Sequence, residues 1–465
     1  MPERLNEKHT WLDTALSAVS ALVCAAMCAA AAAYVLLDSP AHGALICAAA
    51  AALSAACVLT ARFAGRLGTA ALAAASFVLA LGVRAAYVLA VDTVPVSDFE
   101  LLYSAAQGVA SGDASALSDE YFQLWGYQIP FVLYESAAAA LGGGVRALGL
   151  MNALWGALTA LLVYALAAKF AGPASAFAAS ALYALSPEAV MLTPVLTNQC
   201  VSLAFILLGV YLASGGTWRR AALAGCALSL GNLMRPEGVL ALAGIAAAAV
   251  LALIRREKPS QILIRLAALL AGYFALGEAA SWAIALSGIA PQGIGNAAPE
   301  WKFVLGLDTD SLGTYSSANE WILGLTDAAK RRSAALDAIR ASLENAGGAG
   351  GLLAFFAQKT ARFWGMYAES WLGAANASDT FMRIAGRAAF IASGALAAAG
   401  CLRRRGGAAF QSVCAAVTVN FAAYLFIEVQ PRYRYFVLPF VCALAAPGIE
   451  LVASLFTGHR RGERV

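Results

Sequence analysis

Acidic and aromatic residues are concentrated in one polar stretch, residues 94–135, of a chain that is otherwise apolar almost from end to end. This stretch holds six carboxylates among five tyrosine and tryptophan residues. A positioned carboxylate can take a proton from an attacking hydroxyl group. Asp98 is the leading candidate for a catalytic residue, either as a general base or as a group that orients the hydroxyl. The alternative interpretation is structural, because the helix dipole favours an acid in a first turn.

A helix is expected directly after Ser97. Ser97 and Glu100 have the S-x-x-E spacing of a capping box, which predicts a helix from Asp98 to about Ser111 with Glu100 as the capping partner. Its apolar side chains fall on one face, as in an amphipathic helix that lies on the membrane. Five residues are candidates for an acceptor cavity around Asp98: Glu100, Tyr103, Tyr127, Gln128 and Glu135.

Basic residues stand at two breaks between apolar segments. Arg235 and Glu237 lie at a break made by proline and glycine, where a charge close to bilayer depth is costly and usually functional. The second break contains Arg432, Tyr433 and Arg434. A guanidinium group offers a rigid fork of donors, so both breaks are candidates for binding a phosphate. Two alternatives remain open: an internal Arg235–Glu237 ion pair, and an ordinary aromatic and basic belt at the membrane interface.

The composition defines the broad class. Hydrophobic residues make up 61% of the chain and charged residues 12%, which is about half the charged fraction of a soluble protein. Apolar runs of ~17–25 residues are typical of membrane-spanning helices. We predict an all-α polytopic membrane protein, a single domain over residues 1–465 with about twelve transmembrane helices. Their predicted ranges are 13–37, 42–62, 68–91, 146–169, 173–192, 197–214, 219–234, 236–254, 261–287, 385–402, 408–428 and 433–456.

Two long segments, residues 92–145 and 288–384, interrupt the pattern of spanning helices. Lysine and arginine residues fall on alternate short connections, and this bias marks the cytoplasmic side. Both termini are then cytoplasmic, and both long segments are outer loops. The first of them is the predicted catalytic loop, so the active site faces outside. The second loop is predicted to contain an amphipathic helix over residues 327–345 and an interfacial or re-entrant segment over residues 352–364.

Several classes of function are disfavoured. There is no basic patch with interleaved aromatic residues, so nucleic-acid binding is not expected. The nine cysteines lie in apolar runs without a C-x-x-C spacing, and the three histidines lie in the tails and one short turn. There is no Walker loop or G-x-S-x-G elbow. The sequence therefore predicts no cofactor, gives no support to a divalent metal, and favours a donor that already resides among the membrane lipids.

Short motifs across residues 90–440 resemble those of the GT-C fold glycosyltransferases, the group that includes protein O-mannosyltransferases and lipid A aminoarabinose transferases. The chain looks most similar to the bacterial family 39, or RgtA-like, branch. The motifs are Ser97-Asp98-Phe99 with Tyr103, the 127–135 stretch, Leu185-Ser186-Pro187, Arg235-Pro236-Glu237-Gly238, Trp301-Lys302-Phe303 with Gly306-Leu307-Asp308, and Arg432-Tyr433-Arg434.

The resemblance implies transfer of a sugar from a polyprenyl-phosphate-linked donor to a glycan, lipid or protein acceptor on the outer face of the membrane. It implies that Asp98 is the catalytic acid/base and that the donor phosphate is bound by Arg235, Arg432 and Arg434. Many relatives carry a further acidic residue where this chain has Asn198-Gln199, and this departure leaves a metal requirement open. Inversion at the sugar carbon is expected, because no second carboxylate is clearly placed as a nucleophile.

Two other classes of function remain as alternatives. A transporter or flippase for a lipid-linked saccharide would also need basic residues in a membrane cavity, but its repeats and matched discontinuous helices are not apparent. A binding or assembly protein without catalysis would tolerate the loss of Asp98.

Overall fold

The computed structural model describes residues 2–255, 257–291, 293–368, 377–403 and 406–462, and the predicted cytoplasmic residues Arg256, Arg404 and Arg405 lie outside them. The described residues form nineteen α-helices, numbered α1 to α19 in chain order. Their bounds are Pro2–Asp38, Pro40–Ala64, Thr69–Ala90, Asp98–Ala110, Glu120–Leu124, Ile129–Ala140, Val145–Ala167, Pro173–Ala184, Pro187–Met191, Gln199–Ala213, Trp218–Met234, Gly238–Ile254, Pro259–Leu286, Trp301–Gly306, Ala328–Asn345, Gly348–Gly365, Ala377–Arg403, Ala408–Phe426 and Leu438–Gly462.

The protein is an all-α polytopic membrane protein. Eight helices in the described ranges are long and apolar enough to cross a membrane, namely α1, α2, α3, α7, α13, α17, α18 and α19. Each of the twelve predicted ranges contains helix, so the predicted positions are confirmed as helical. Four of these helices, α8, α10, α11 and α12, have only 12 to 17 residues, which is at or below the usual length of a span.

The predicted helix over residues 173–192 is divided in two. The helix α8 ends at Ala184 and α9 begins at Pro187, because proline has no N–H with which to continue the helical ladder. The Nη1 atom of Arg84 donates to the Ala184 carbonyl at 2.8 Å, and its guanidinium lies 5.0 Å from the Tyr183 ring. Gly156 leaves room for Arg84, since a Cβ atom there would lie 2.5 Å from its Nε. This buried cation therefore caps the end of α8 inside the apolar core.

The first long loop folds back on itself as α4, α5 and α6. The helix α4 has nearly the predicted bounds, and its Leu102 and Ala106 are buried against Phe122 and Phe131. The apolar face of α4 is therefore covered by protein, where the amphipathic pattern had predicted lipid. The covering residues come from α5 and α6 of the same loop, and a helical pattern alone does not reveal what will cover it.

The predicted capping box is wrong. Ser97 has a φ of 53° and makes no side-chain cap bond, and Glu100 is exposed. The backbone carbonyl of Ser97 instead accepts from the N–H groups of Glu100 at 3.0 Å and Leu101 at 3.2 Å. A positive φ is strained for a residue with a Cβ atom, and such strain clusters at functional sites. Here it lies directly before Asp98.

The second long loop contains α14, α15 and α16. The predicted helix over residues 327–345 is confirmed as α15, and its N-cap Asp327 accepts from the Ala329 N–H at 2.8 Å. The predicted interfacial segment lies within α16, which is not among the eight candidate spans. The two long loops contact each other, because the Ala297 N–H donates to the Leu124 carbonyl at 2.9 Å.

Candidate active site

A cavity of about 640 Å³ opens where the two long loops meet the start of α12 and the end of α18. It brings together seven of the eleven predicted site residues from opposite ends of the chain. Its charged and polar lining residues, together with its tyrosines and tryptophans, are Asp98, Tyr121, Trp125, Tyr127, Gln128, Arg235, Glu237, Trp301, Lys302, Tyr315, Glu320, Tyr424, Glu428, Gln430, Arg432 and Tyr433. The remaining wall is apolar, with Val239, Leu240 and Phe426 at the helix ends.

Three cations surround the buried ring of Tyr433. The Cζ atoms of Arg235 and Arg432 lie 5.0 and 5.5 Å from the ring centroid, and the Nζ atom of Lys302 lies 5.7 Å from it. The electron-rich face of an aromatic ring attracts cations, so the ring helps three like charges to share one wall. Fixed guanidinium and ammonium groups in this arrangement suit a phosphate.

Two carboxylates hold two of these cations. The Nε atom of Arg235 lies 3.8 Å from Glu237, so the ion pair considered from the sequence is present within the cavity wall. Lys302 forms an ion pair with Glu428, which also accepts from the Gln430 side chain at 2.6 Å. Burial alone would raise the pKa of Glu428, but Lys302 and Gln430 together hold this pKa below its usual value. Glu428 is therefore charged at neutral pH and keeps Lys302 in place.

Amide side chains at the start of α10 hold Arg235 and Arg432 in place. The Nη1 atom of Arg235 donates to Asn198 at 3.2 Å, and Asn198 in turn donates to Gln128 at 3.1 Å. The Gln199 side chain donates to the backbone carbonyl of Arg432 at 2.8 Å. The Asn198-Gln199 pair thus links the first loop to both basic segments.

Asp98 lines the same cavity from the first turn of α4. Its side chain is exposed, and no hydrogen bond to its carboxylate is found in the part of the chain that the structure describes. Burial, with a smaller effect of the Asp98 charge, raises the pKa of Tyr121, and burial likewise raises the pKa of Tyr127. These phenols remain neutral hydrogen-bond donors. Because the Asp98 side chain is exposed to the cavity and makes no hydrogen bond to the described residues, it is available to a hydroxyl group that enters the cavity, as a general base must be.

Three of the predicted acceptor-cavity residues lie elsewhere. Glu100 is exposed on α4 and is not among the lining residues. Tyr103 packs against a small apolar cluster that contains Leu148 and Leu196. Glu135 is 1% exposed, and its Oε2 atom has no hydrogen-bond partner among the described residues. Burial raises the pKa of Glu135 to about 9, so this carboxyl is neutral at physiological pH.

Arg434, predicted to bind the donor phosphate, lies in a buried cluster behind the cavity wall. Its guanidinium donates to the Phe363 carbonyl at 2.6 Å and lies 3.3 Å from Glu188. Arg387 pairs with the same carboxylate and donates to the Trp364 carbonyl at 2.8 Å. The cluster connects the end of α16 to the Pro431–Phe436 turn. In this structure Arg434 therefore stabilises that turn and does not line the cavity.

Lys302 and Glu428 were not among the predicted site residues. Lys302 stands in a short motif of the second loop, and Glu428 follows the last residues of α18. The available signal was a charged residue next to an apolar helix end, which is common in membrane proteins. Their pairing joins positions 126 residues apart, and the local pattern around either residue does not predict it.

Clustered metal ligands are not a feature of this cavity. Among the residues whose positions the structure gives, there is no group of three or more His, Cys, Asp or Glu side chains that could hold a metal ion. The positive charges that line the cavity are those of Arg235, Lys302 and Arg432.

The fold and the cavity together define a polytopic membrane protein with a basic cavity wall beside a carboxylate. Residues 131–282 match the family model described as dolichyl-phosphate-mannose-protein mannosyltransferase. This range is about a third of the chain and includes Arg235 and Glu237, but neither Asp98 nor Arg432. A search of curated proteins found no match. The match indicates a membrane glycosyltransferase and supports the resemblance at the level of the GT-C superfamily.

Proposed function

We propose that this protein is an inverting membrane glycosyltransferase that moves a sugar from a polyprenyl-phosphate donor to an acceptor hydroxyl. One observation carries the proposal: a single cavity holds the Asp98 carboxylate and the three cations around Tyr433. The matched family description supports the use of a lipid-linked sugar. The positive-inside bias of the short connections supports an active site on the outer face.

The basic wall binds the donor. The phosphate oxygens accept hydrogen bonds from Arg235, Lys302 and Arg432, and the lipid tail leaves along the apolar wall beside Val239 and Phe426. Both of these residues are exposed, at 46% and 48%, as expected where a cavity opens to lipid. The fixed cations stabilise the charge that develops on the phosphate as it leaves.

Asp98 serves the acceptor. As the acceptor oxygen forms its bond to the anomeric carbon, its proton passes to the Asp98 carboxylate. The bond between the anomeric carbon and the phosphate oxygen breaks, and the phosphate keeps the electron pair. A single displacement of this kind inverts the anomeric carbon.

The proposal is tested with purified Asp98→Asn protein, radiolabelled polyprenyl-phosphate sugars and native membrane extract as the source of acceptor. Sugar transfer should fall at least about 10²-fold, the usual contribution of a positioned acid or base, while donor binding stays unchanged. Asp119→Asn is the matched control, because Asp119 is an exposed carboxylate of the same loop that does not line the cavity. This control should keep wild-type transfer.

Sugar transfer by Asp98→Asn at the wild-type rate would show that Asp98 is not a catalytic residue. The wild-type protein could instead fail to transfer sugar from every donor and yet scramble the labelled lipid in vesicles. This result would show that the protein is a flippase and not an enzyme.

A further inference from the structure

The helix α13 carries one carboxylate that faces away from the protein. Glu278 lies within this membrane-spanning helix and is exposed, and it has no hydrogen bond or ion pair to any residue that the structure describes. Three ionisable residues of other spans, by contrast, have polar partners within the protein. Arg84 donates to a backbone carbonyl, Arg387 pairs with a carboxylate, and Glu450 lies 3.8 Å from a guanidinium.

Glu278 lies at the depth of the hydrocarbon layer. Arg265 stands thirteen residues before it and Leu286, the last residue of α13, eight residues after it. At the rise of an α-helix these separations are about 20 and 12 Å, and together they match the ~30 Å thickness of the hydrocarbon core. A carboxyl group at such a depth is costly unless it finds a polar partner.

The exposed face around Glu278 has the pattern of a helix–helix interface. Exposed residues recur every three or four positions, in the order Ala271, Phe274, Ala275, Glu278, Ala279, Trp282 and Ala283. The four alanines are spaced by four, and rows of small residues with this spacing let membrane helices approach closely. The protein covers only 17% of the apolar window of α13, against 28–72% for the other seven spans.

We propose that this face of α13 is the interface of a two-fold symmetric dimer, in which Glu278 is hydrogen-bonded to Glu278 of a second copy. A two-fold axis places identical residues opposite each other, and a neutral carboxyl group is self-complementary because it both donates and accepts. The alanine row allows the two backbones to approach until the carboxyl groups meet. No residue of α13 lines the large cavity, so the dimer leaves the cavity open and does not depend on the proposed catalytic role.

Crosslinking tests which face is used. The full-length protein in lipid nanodiscs or vesicles is given Ala279→Cys, beside Glu278, and oxidised. Leu45→Cys provides the control, because Leu45 is a 64% exposed residue of the lipid-facing helix α2. If this interface forms, the fraction of disulfide-linked dimer with Ala279→Cys should be well above the background from the nine native cysteines of the wild-type protein. Leu45→Cys should give no increase over that background. Equal crosslinking by both variants, or none by Ala279→Cys, would overturn the proposal.

The contribution of the Glu278 carboxyl group to dimer formation is tested by resonance energy transfer between labelled copies of the protein, measured as the lipid-to-protein ratio is varied. Glu278→Leu should weaken the dimer roughly 3- to 30-fold, the range of interhelical hydrogen bonds in membranes. Glu278→Gln, which can still donate and accept, should keep it. Both substitutions lie on an exposed face, so the fold is retained. A wild-type protein that is monomeric at all ratios, or a Glu278→Leu protein that associates as well as wild type, would contradict the dimer.

Discussion

The buried carboxyl of Glu135 couples stability to pH. Its folded pKa of about 9 lies above the ordinary value of 4.5, so the folded protein keeps a proton that the unfolded chain releases across this window. The free energy of unfolding should therefore fall as the pH rises from about 4.5 to 9, by up to about 1.4 kcal/mol per pH unit. Glu135→Gln removes this titration, so the variant should gain stability relative to wild type between pH 6 and pH 8.

Thermal unfolding in detergent at both pH values measures this effect. Glu120→Gln, at an exposed position of the same loop, should differ from wild type by the same amount at pH 6 and pH 8. A pH-independent difference for Glu135→Gln as well would show that Glu135 has an ordinary pKa.

The ion pair of Lys302 and Glu428 is a second feature that gives the stability of the protein a pH dependence. In the wild-type protein the lowered pKa of Glu428 means that its stabilising effect is lost only as the pH falls below the ordinary value, so the pair contributes evenly between pH 5 and 8. Lys302→Met leaves a buried carboxyl without its cation, and burial should then raise its pKa. The variant should lose stability as the pH rises from 5 to 8, by about 1–3 kcal/mol at the upper end.

The double variant Lys302→Met/Glu428→Gln provides the control for this pair. It should remove this additional pH dependence, because position 428 then carries no carboxyl group that could become charged. A Lys302→Met protein whose unfolding temperature changes with pH as in wild type would contradict the prediction.

Among the elements, α16 holds the second loop against the end of α18. The Nζ atom of its buried Lys359 donates to the carbonyls of Gly306, Leu425 and Ile427, the last two at 3.0 and 2.9 Å. These carbonyls belong to the ends of α14 and α18, beside the cavity. Gly313 packs on the lysine stem, because a Cβ atom there would lie 2.5 Å from the Lys359 Cε.

Lys359→Met should therefore cost about 2–4 kcal/mol of unfolding free energy, since three carbonyls lose one donor inside the protein. Lys330→Met is the matched control, because Lys330 is exposed on α15 and a surface substitution of this kind usually stays within about 0.5 kcal/mol. Unfolding by heat or denaturant in detergent measures both. Equal stabilities would show that water replaces the lysine without loss.

The helices were predictable from the sequence because each apolar run is a local property of the chain. What covers a helix face is not local. The apolar side of α4 is covered by α5 and α6, and Arg434 is drawn into a cluster with Glu188, 246 positions away. The same limit applies to the site. Asp98, Arg235 and Arg432 were predicted as site residues from their local settings, and they line one cavity, whereas the pairing of Lys302 with Glu428 depends on the folded chain.

At the scale of the whole molecule, the short helices run between two ends. The helix α10 begins at Gln199, which is bonded to Arg432 at the cavity, and ends before Ser214, which accepts from Lys169. The helix α12 begins beside the cavity and ends before Arg255, which pairs with Asp13. Lys169 and Arg255 thus lie at the end of the molecule opposite the cavity, and both belong to connections that the alternation of charges predicts to be cytoplasmic.

This arrangement makes a test of membrane orientation. The two long loops contact each other through Ala297 and Leu124, so they must lie on one side of the membrane. The positive-inside bias of the sequence predicts that this side is the outer one. A membrane-impermeant maleimide should label Ser118→Cys and Ser317→Cys in intact cells. Arg66→Cys, in the turn between α2 and α3, should be labelled only after the membrane is opened. All three positions are exposed, and the cysteine-containing wild type gives the background.

The three labelling results separate the possible errors. Labelling of Ser118→Cys and Ser317→Cys only in opened cells would show that the chain has the opposite orientation in the membrane. The proposed sugar transfer would then take place on the cytoplasmic face. Labelling of the two positions from different sides would contradict the contact between the loops. In that case Lys302 and Asp98 could not share one cavity, and the proposed mechanism would fail even if Asp98→Asn abolished transfer.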